Sequence, residues 1–105
     1  MVMAADDRIR ATLRSGLTHV RLLLMHPMHT GRHFNAEKIL IEAEFIQDIR
    51  CWRNDIEVLA IKCGVATSQN PYFSFQLTGG TIGDVILVRW VDNIGAKGLV
   101  KTRVT

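Results

Sequence analysis

The chain has 105 residues and a mass of 11.8 kDa, enough for one compact domain and not for two. Hydrophobic residues make up 48% and charged residues 22%, a balance that excludes intrinsic disorder. Lys and Arg number 13 against 10 Asp and Glu, a net charge of +3 with no basic arm or acidic tail, so neither a Lys/Arg cluster nor a nucleic-acid partner is expected.

No apolar run approaches the ~18 residues that a membrane-spanning helix needs. Leu22–Met25 is far too short and follows Arg21. At the start, Met1–Arg14 mixes Asp6 and Asp7 with Arg8, Arg10 and Arg14, which is unlike a secretory signal and taken alone suggests the cytoplasm. Ile9, Ala11 and Leu13 alternate with Arg8, Arg10, Thr12 and Arg14, the period of a half-buried strand. Gly16 interrupts it, and Thr18–Met25 follows with Val20, Leu22 and Leu24 on one face. A loop rich in His, Pro and Gly runs from His26 to Asn35. Ala36–Glu44 reads either way: Ile39, Leu40 and Ala43 make a helical stripe, while Ile39-Leu40-Ile41 suits a strand.

Glu44–Arg53 and Ile56–Cys63 are expected to form a hairpin about Asn54-Asp55. An unbroken register from that turn sets Cys51 opposite Val58 and Cys63 opposite Ile46, on opposite faces and roughly 16 Å apart at strand rise. No disulfide spans such a gap, so both are read as free thiols. Thr67–Pro71 is a loop, and Tyr72–Thr78 alternates with Phe73, Phe75 and Leu77 inward. Gly79, Gly80 and Gly83 punctuate, and Asp84–Asp92 and Ala96–Val104 close the chain as a hairpin around Asn93-Ile94-Gly95. About seven short strands with turn signals at roughly 8–12-residue spacing describe an all-β antiparallel sandwich, one domain over residues 1–105.

Asp84–Asp92 is apolar on both faces: Val85, Leu87 and Val91 on one, Ile86, Val88 and Trp90 on the other. A sandwich strand should be wet outside, so either a loop of this chain or another protein covers it.

Chemistry-bearing patterns are sparse. Met25, His26, Met28, His29 and His33 put imidazole and thioether donors close together, a set suited to copper, although the same residues serve as a strand end and a wet loop. Cys51 and Cys63 sit in apolar strands, where a thiol is a poor nucleophile. The Gly79–Gly83 stretch lacks the Lys-Ser/Thr and the helix of a phosphate-binding loop. Trp52, Tyr72 and Trp90 are too scattered to stack bases. No catalytic constellation and no cofactor site emerge.

Three segments together are similar to a known family: His26-Pro27-Met28-His29-Thr30-Gly31, Ser68-Gln69-Asn70-Pro71-Tyr72-Phe73-Ser74-Phe75, and Gly83-Asp84 through Trp90-Val91-Asp92-Asn93. In this order and spacing they resemble SoxZ, the small subunit of the SoxYZ sulfur-carrier complex of thiosulfate oxidation. The chain departs from that pattern at His29, usually acidic, at Ile41-Glu42-Ala43-Glu44, usually Ile-Pro-Ala-His, and at Cys63, often Trp. The resemblance implies an immunoglobulin-like sandwich without catalytic residues or cofactor. It implies a SoxY-like partner whose C-terminal Gly-rich arm carries sulfur on a cysteine, and transient contact with other Sox enzymes. It also implies the periplasm, reached by co-export with that partner, which would account for the signal-free start. Since the chain ends Lys101–Thr105 without such an arm, it is expected to be the Z half. A partner is expected to seat on Trp90, Ile86 and Val88, with His26, Met28, Asn70 and Tyr72 in loops that meet it or guide its arm.

Overall fold

Alternating side chains decide the architecture. The structure, a computed structural model, describes residues 7–64 and 69–105, so the expected loop at Thr67-Ser68 and the segment before Asp7 lie outside the described residues. Seven strands are present: β1 (Arg8–Arg14), β2 (Leu17–Leu23), β3 (Ile46–Arg53), β4 (Ile56–Lys62), β5 (Tyr72–Thr78), β6 (Val85–Asp92) and β7 (Lys97–Arg103). They form two antiparallel sheets, ordered β1-β2-β5 and β4-β3-β6-β7, and the described residues include no helix. This is the expected all-β, immunoglobulin-like sandwich.

The inward positions fill one core. Val20 and Leu22 from the first sheet, with Leu24 just past the end of β2, meet Ile46, Ile49, Ile86 and Val88 from the second, and all are essentially without solvent contact. Each such side chain contributes roughly 1.5–3 kcal/mol on burial. Phe73 and Phe75 pack against this core and Leu77 lies within it, as their period predicts. The sheets are stitched where Ala11 bridges Val104 in parallel, with Thr105 donating its amide to the Ala11 carbonyl at 3.0 Å.

Asn54 and Asp55 both adopt positive φ, 50° and 69°, the pair that a two-residue hairpin turn requires. Beyond the turn the register slips. Trp52 pairs with Glu57, but Cys51 pairs with Leu59, so Val58 is the extra residue of a β-bulge. The unbroken register with Cys51 opposite Val58 is therefore corrected. One extra residue reverses the parity of β4, which turns Leu59, Ile61 and Cys63 toward the core on the same side as Cys51. The two thiols remain free, because four residues of ladder still separate them, about 13 Å.

Residues 36–44 form neither a helix nor a regular strand. The Asn35 side chain accepts the amides of Glu37 and Ile39 at 2.9 and 3.0 Å, and Lys38 takes positive φ, closing a tight turn where a helix would start. The excursion is held by two isolated bridges, Phe34 with Leu40 and His29 with Glu44.

A Lys/Arg cluster, not expected from the composition, assembles on the outer face of β1 and β2. Period two carries Arg8, Arg10 and Arg14 to the side where Arg21 also lies, with Arg10 paired to Arg21.

Candidate functional site

The alternation of β6 separates its two apolar faces. Ile86 and Val88 are fully buried and Trp90 is 7% exposed, all toward the other sheet. The three residues expected to seat a partner are enclosed by the chain's own core, because β6 lies between β3 and β7 and its even-numbered positions face inward. Trp90 donates its indole N–H to Asp7 Oδ2 at 3.1 Å, and the other Asp7 oxygen accepts the Met25 amide at 2.8 Å. Gly98 stands opposite Trp90 across the β6–β7 ladder, where any Cβ would overlap the indole.

The loops around His26 and Asn70 do meet at one end of the sandwich. Asn70 accepts the His26 amide on Oδ1 at 2.9 Å and returns its own amide to the His26 carbonyl at 2.8 Å. The His26 ring is buried, edge-on to Trp90 at 5.3 Å. Its Nδ1 accepts the Met28 amide at 3.1 Å, so the ring proton sits on Nε2 and is donated to Asp92 Oδ2 at 3.1 Å. Asp92 is fully used: its Oδ1 accepts the amides of Ile94 and Ala96 at 3.1 and 2.7 Å. Met28 is buried as well, its Sδ accepting the Ile46 amide at 3.3 Å. His26 and Met28 therefore act from inside the fold, while Asn70 and Tyr72 are exposed. Next to them, Asn93 accepts the Phe45 amide at 2.8 Å and donates to the Ala43 carbonyl at 2.9 Å. The sequence does not reveal what Asp7 and Asp92 hold, because an aspartate at a strand end reads as a turn residue.

His26, Glu44 and Asp92 bring one ligand atom each within 4.8 Å of the others, a spacing a metal ion could use. The hydrogen bonds oppose that use. A metal on Nε2 would need Nδ1 to carry the proton, yet Nδ1 faces the Met28 N–H. The wider set read as copper donors also disperses: His26 and Met28 are engaged internally, Met25 is 38% exposed and His33 lies out on the loop. The arrangement is a hydrogen-bonded brace.

Both thiols are poor nucleophiles where they stand. Burial pushes Cys51 up to about 11, and burial followed by the nearby Asp48 charge raises Cys63.

The second apolar face of β6 stays open. Val85 and Leu87 are half-buried on the outside of the second sheet, beside Leu99 of β7, which is 60% exposed. Trp52 of β3 pairs with Leu87, and Arg89 lies over the Trp52 ring at 5.4 Å. Among the described residues its buried Nε has no hydrogen-bond partner. Trp52, Asp55, Leu87, Arg89 and Leu99 line a shallow groove of about 340 Å³. In sequence only Leu87 pointed here; Trp52 and Leu99 join it through strand pairing alone.

A family model described as "Sulphur oxidation protein SoxZ" matches residues 8–102. The chain belongs to the SoxZ family. No curated protein matches it. Two positions at which it departs from the SoxZ pattern, His29 and Glu44, are direct partners in one bridge, with the Glu44 amide donated to the His29 carbonyl at 2.9 Å. One part of each segment resembling SoxZ meets at the same end of the sandwich, where His26, Asn70, Asp92 and Asn93 tie the loops together. Membership in SoxZ carries a role in sulfur oxidation.

Proposed function

We propose that the chain is the non-catalytic half of a two-chain sulfur carrier in the periplasm. It binds and stabilises a SoxY-like subunit, and that subunit's C-terminal cysteine carries the sulfur intermediates. The observation that carries this reading is the contrast between the two sides of the second sheet. Both cysteines turn toward the core, where thiolate formation is suppressed, while Trp52, Leu87 and Leu99 offer an apolar groove outside. A protein interface of ~800 Å² per partner needs an apolar centre with aromatic and Arg anchors, and Trp52 with Arg89 over it provides both. Among the described residues no acceptor meets the Arg89 Nε, and a partner carbonyl or carboxylate can supply one.

Co-expression with the SoxY-like chain tests the proposal. The two chains should co-purify, and Leu87→Asp with Leu99→Asp should abolish co-purification without unfolding the chain, since both residues face outward. Phe34→Ser with Ile39→Ser, on a separate exposed apolar spot at the tip of the 36–44 excursion, should leave it intact. Failure of the native chains to co-purify sinks the carrier reading. Loss with the second pair alone moves the interface to that tip.

A further inference from the structure

Among the described residues, the outer face of the β1-β2-β5 sheet carries exposed charge of one sign. Arg8, Arg10 and Arg14 of β1 and Arg21 of β2 are exposed on it, with His19 half-buried beside them. Lys101 of β7 reaches the same side and lines, with Arg8, Arg10 and Arg21, an open depression of about 520 Å³. A second depression of about 140 Å³ is lined by Arg10, Thr12, Arg14, His19 and Arg21, hydrogen-bond donors without a carboxylate. Asp7 is at the rim of the larger one, but its two oxygens point inward to the Met25 amide and the Trp90 indole. Among the described residues none of these four arginines makes an ion pair.

The fold gains nothing from this arrangement. Arg10 stands directly opposite Arg21 in the β1–β2 register, and like charges so placed weaken a strand pair. Threonine at either position would suit the strand better.

We infer that this face is a docking site for the acidic surface of another protein. Arg8 and Arg14 stand about 20 Å apart at strand rise, so the row is too long for one small anion. Three strands at about 4.8 Å spacing make the face too narrow for a permanent interface of ~800 Å² per partner, and it suits a brief, salt-sensitive encounter. Among the described residues Tyr72 is the only aromatic exposed on this sheet, so nucleic-acid bases find no stacking platform. If the chain is half of a sulfur carrier, the enzymes that process the carried sulfur are the partners in question. The inference about the face rests on its charge, and only that last identification rests on the carrier reading.

Two measurements test it separately. In the isolated chain, a short peptide alternating Glu and Ser should shift the amide resonances of β1 and β2. The shifts should fade with salt and disappear in the Arg10→Thr, Arg21→Thr variant, whose fold should be at least as stable as the native one. Shifts confined to other strands, persistence in the variant, or tighter binding of an oligodeoxythymidine of equal charge overturns the inference, the last in favour of nucleic acid. In the co-purified complex, the same variant should raise the KM of a sulfur-processing enzyme for the carrier by at least about five-fold at low salt with kcat unchanged. That difference should vanish as salt screens the face. An unchanged KM in a complex that still co-purifies overturns the docking role and leaves the carrier reading standing.

Discussion

His26 and Asp92 hold each other in the interior, Nε2 to Oδ2 at 3.1 Å, with the histidine side chain 2% and the aspartate side chain 0% exposed. The tautomer is set from the opposite edge of the ring, where Nδ1 accepts the Met28 amide. One imidazole thereby ties the loop after β2 to the end of β6. Buried polar groups of this kind are costly to orphan, because a lost partner leaves its desolvation uncompensated.

His26→Ala should therefore destabilise the chain by about 2–4 kcal/mol, since buried Asp92 Oδ2 loses the one partner it has among the described residues. Asp92→Asn should cost a similar amount. The double variant should cost less than the sum, with a coupling of at least about 1 kcal/mol by urea denaturation. Strict additivity would show that the two residues do not act as a pair.

Gly98→Ala places a methyl group in the Trp90 indole, which is itself pinned to Asp7. We expect a loss of about 1–3 kcal/mol and a changed near-ultraviolet dichroism of Trp90, since overpacking forces the ring off its hydrogen bond. Gly64→Ala is the control: among the described residues a Cβ there meets nothing within 4 Å, and its melting temperature should not move.

Cys51, with its thiol pushed up to about 11 by burial, should react with a disulfide reagent at mildly alkaline pH far more slowly in the folded chain than in denaturant. Cys63, half-buried and raised in the same direction, should be intermediate. Rapid reaction of Cys51 in the folded state would remove the argument that sulfur is carried on another chain.

Asp48 accepts hydrogen bonds from Lys62 at 3.0 Å and Arg50 at 2.9 Å, and these two hold its carboxyl below the ordinary 3.8. A carboxyl lowered by folding stabilises the native state above its unfolded value, and that contribution drains away as pH falls through the native value. Between about pH 5 and pH 2, stability measured by denaturant should thus fall less steeply in Asp48→Asn than in the native chain. High salt should shrink the difference, because the pair lies at the surface.

The sequence by itself determined the sandwich, the seven strands and the family. Period-two alternation and the Asn54-Asp55 turn are local signals, and each strand reports its own inward face. It also located the loops of His26 and Asn70, though not what they do, since His26 meets Asp92 across 66 residues of chain. Three matters were left to the tertiary structure. A bulge at Cys51/Trp52 reversed the parity of β4, and a slip of one residue leaves no mark in the alternation of either strand. The face of β6 turned toward solvent was settled by the sheet order, because a strand apolar on both sides carries no preference of its own. The arginine face arose from pairing β1 with β2, which brought Arg10 against Arg21 although the linear sequence spreads its charge evenly. Periodicity is a property of neighbours in the chain, whereas register and sheet order depend on neighbours in space.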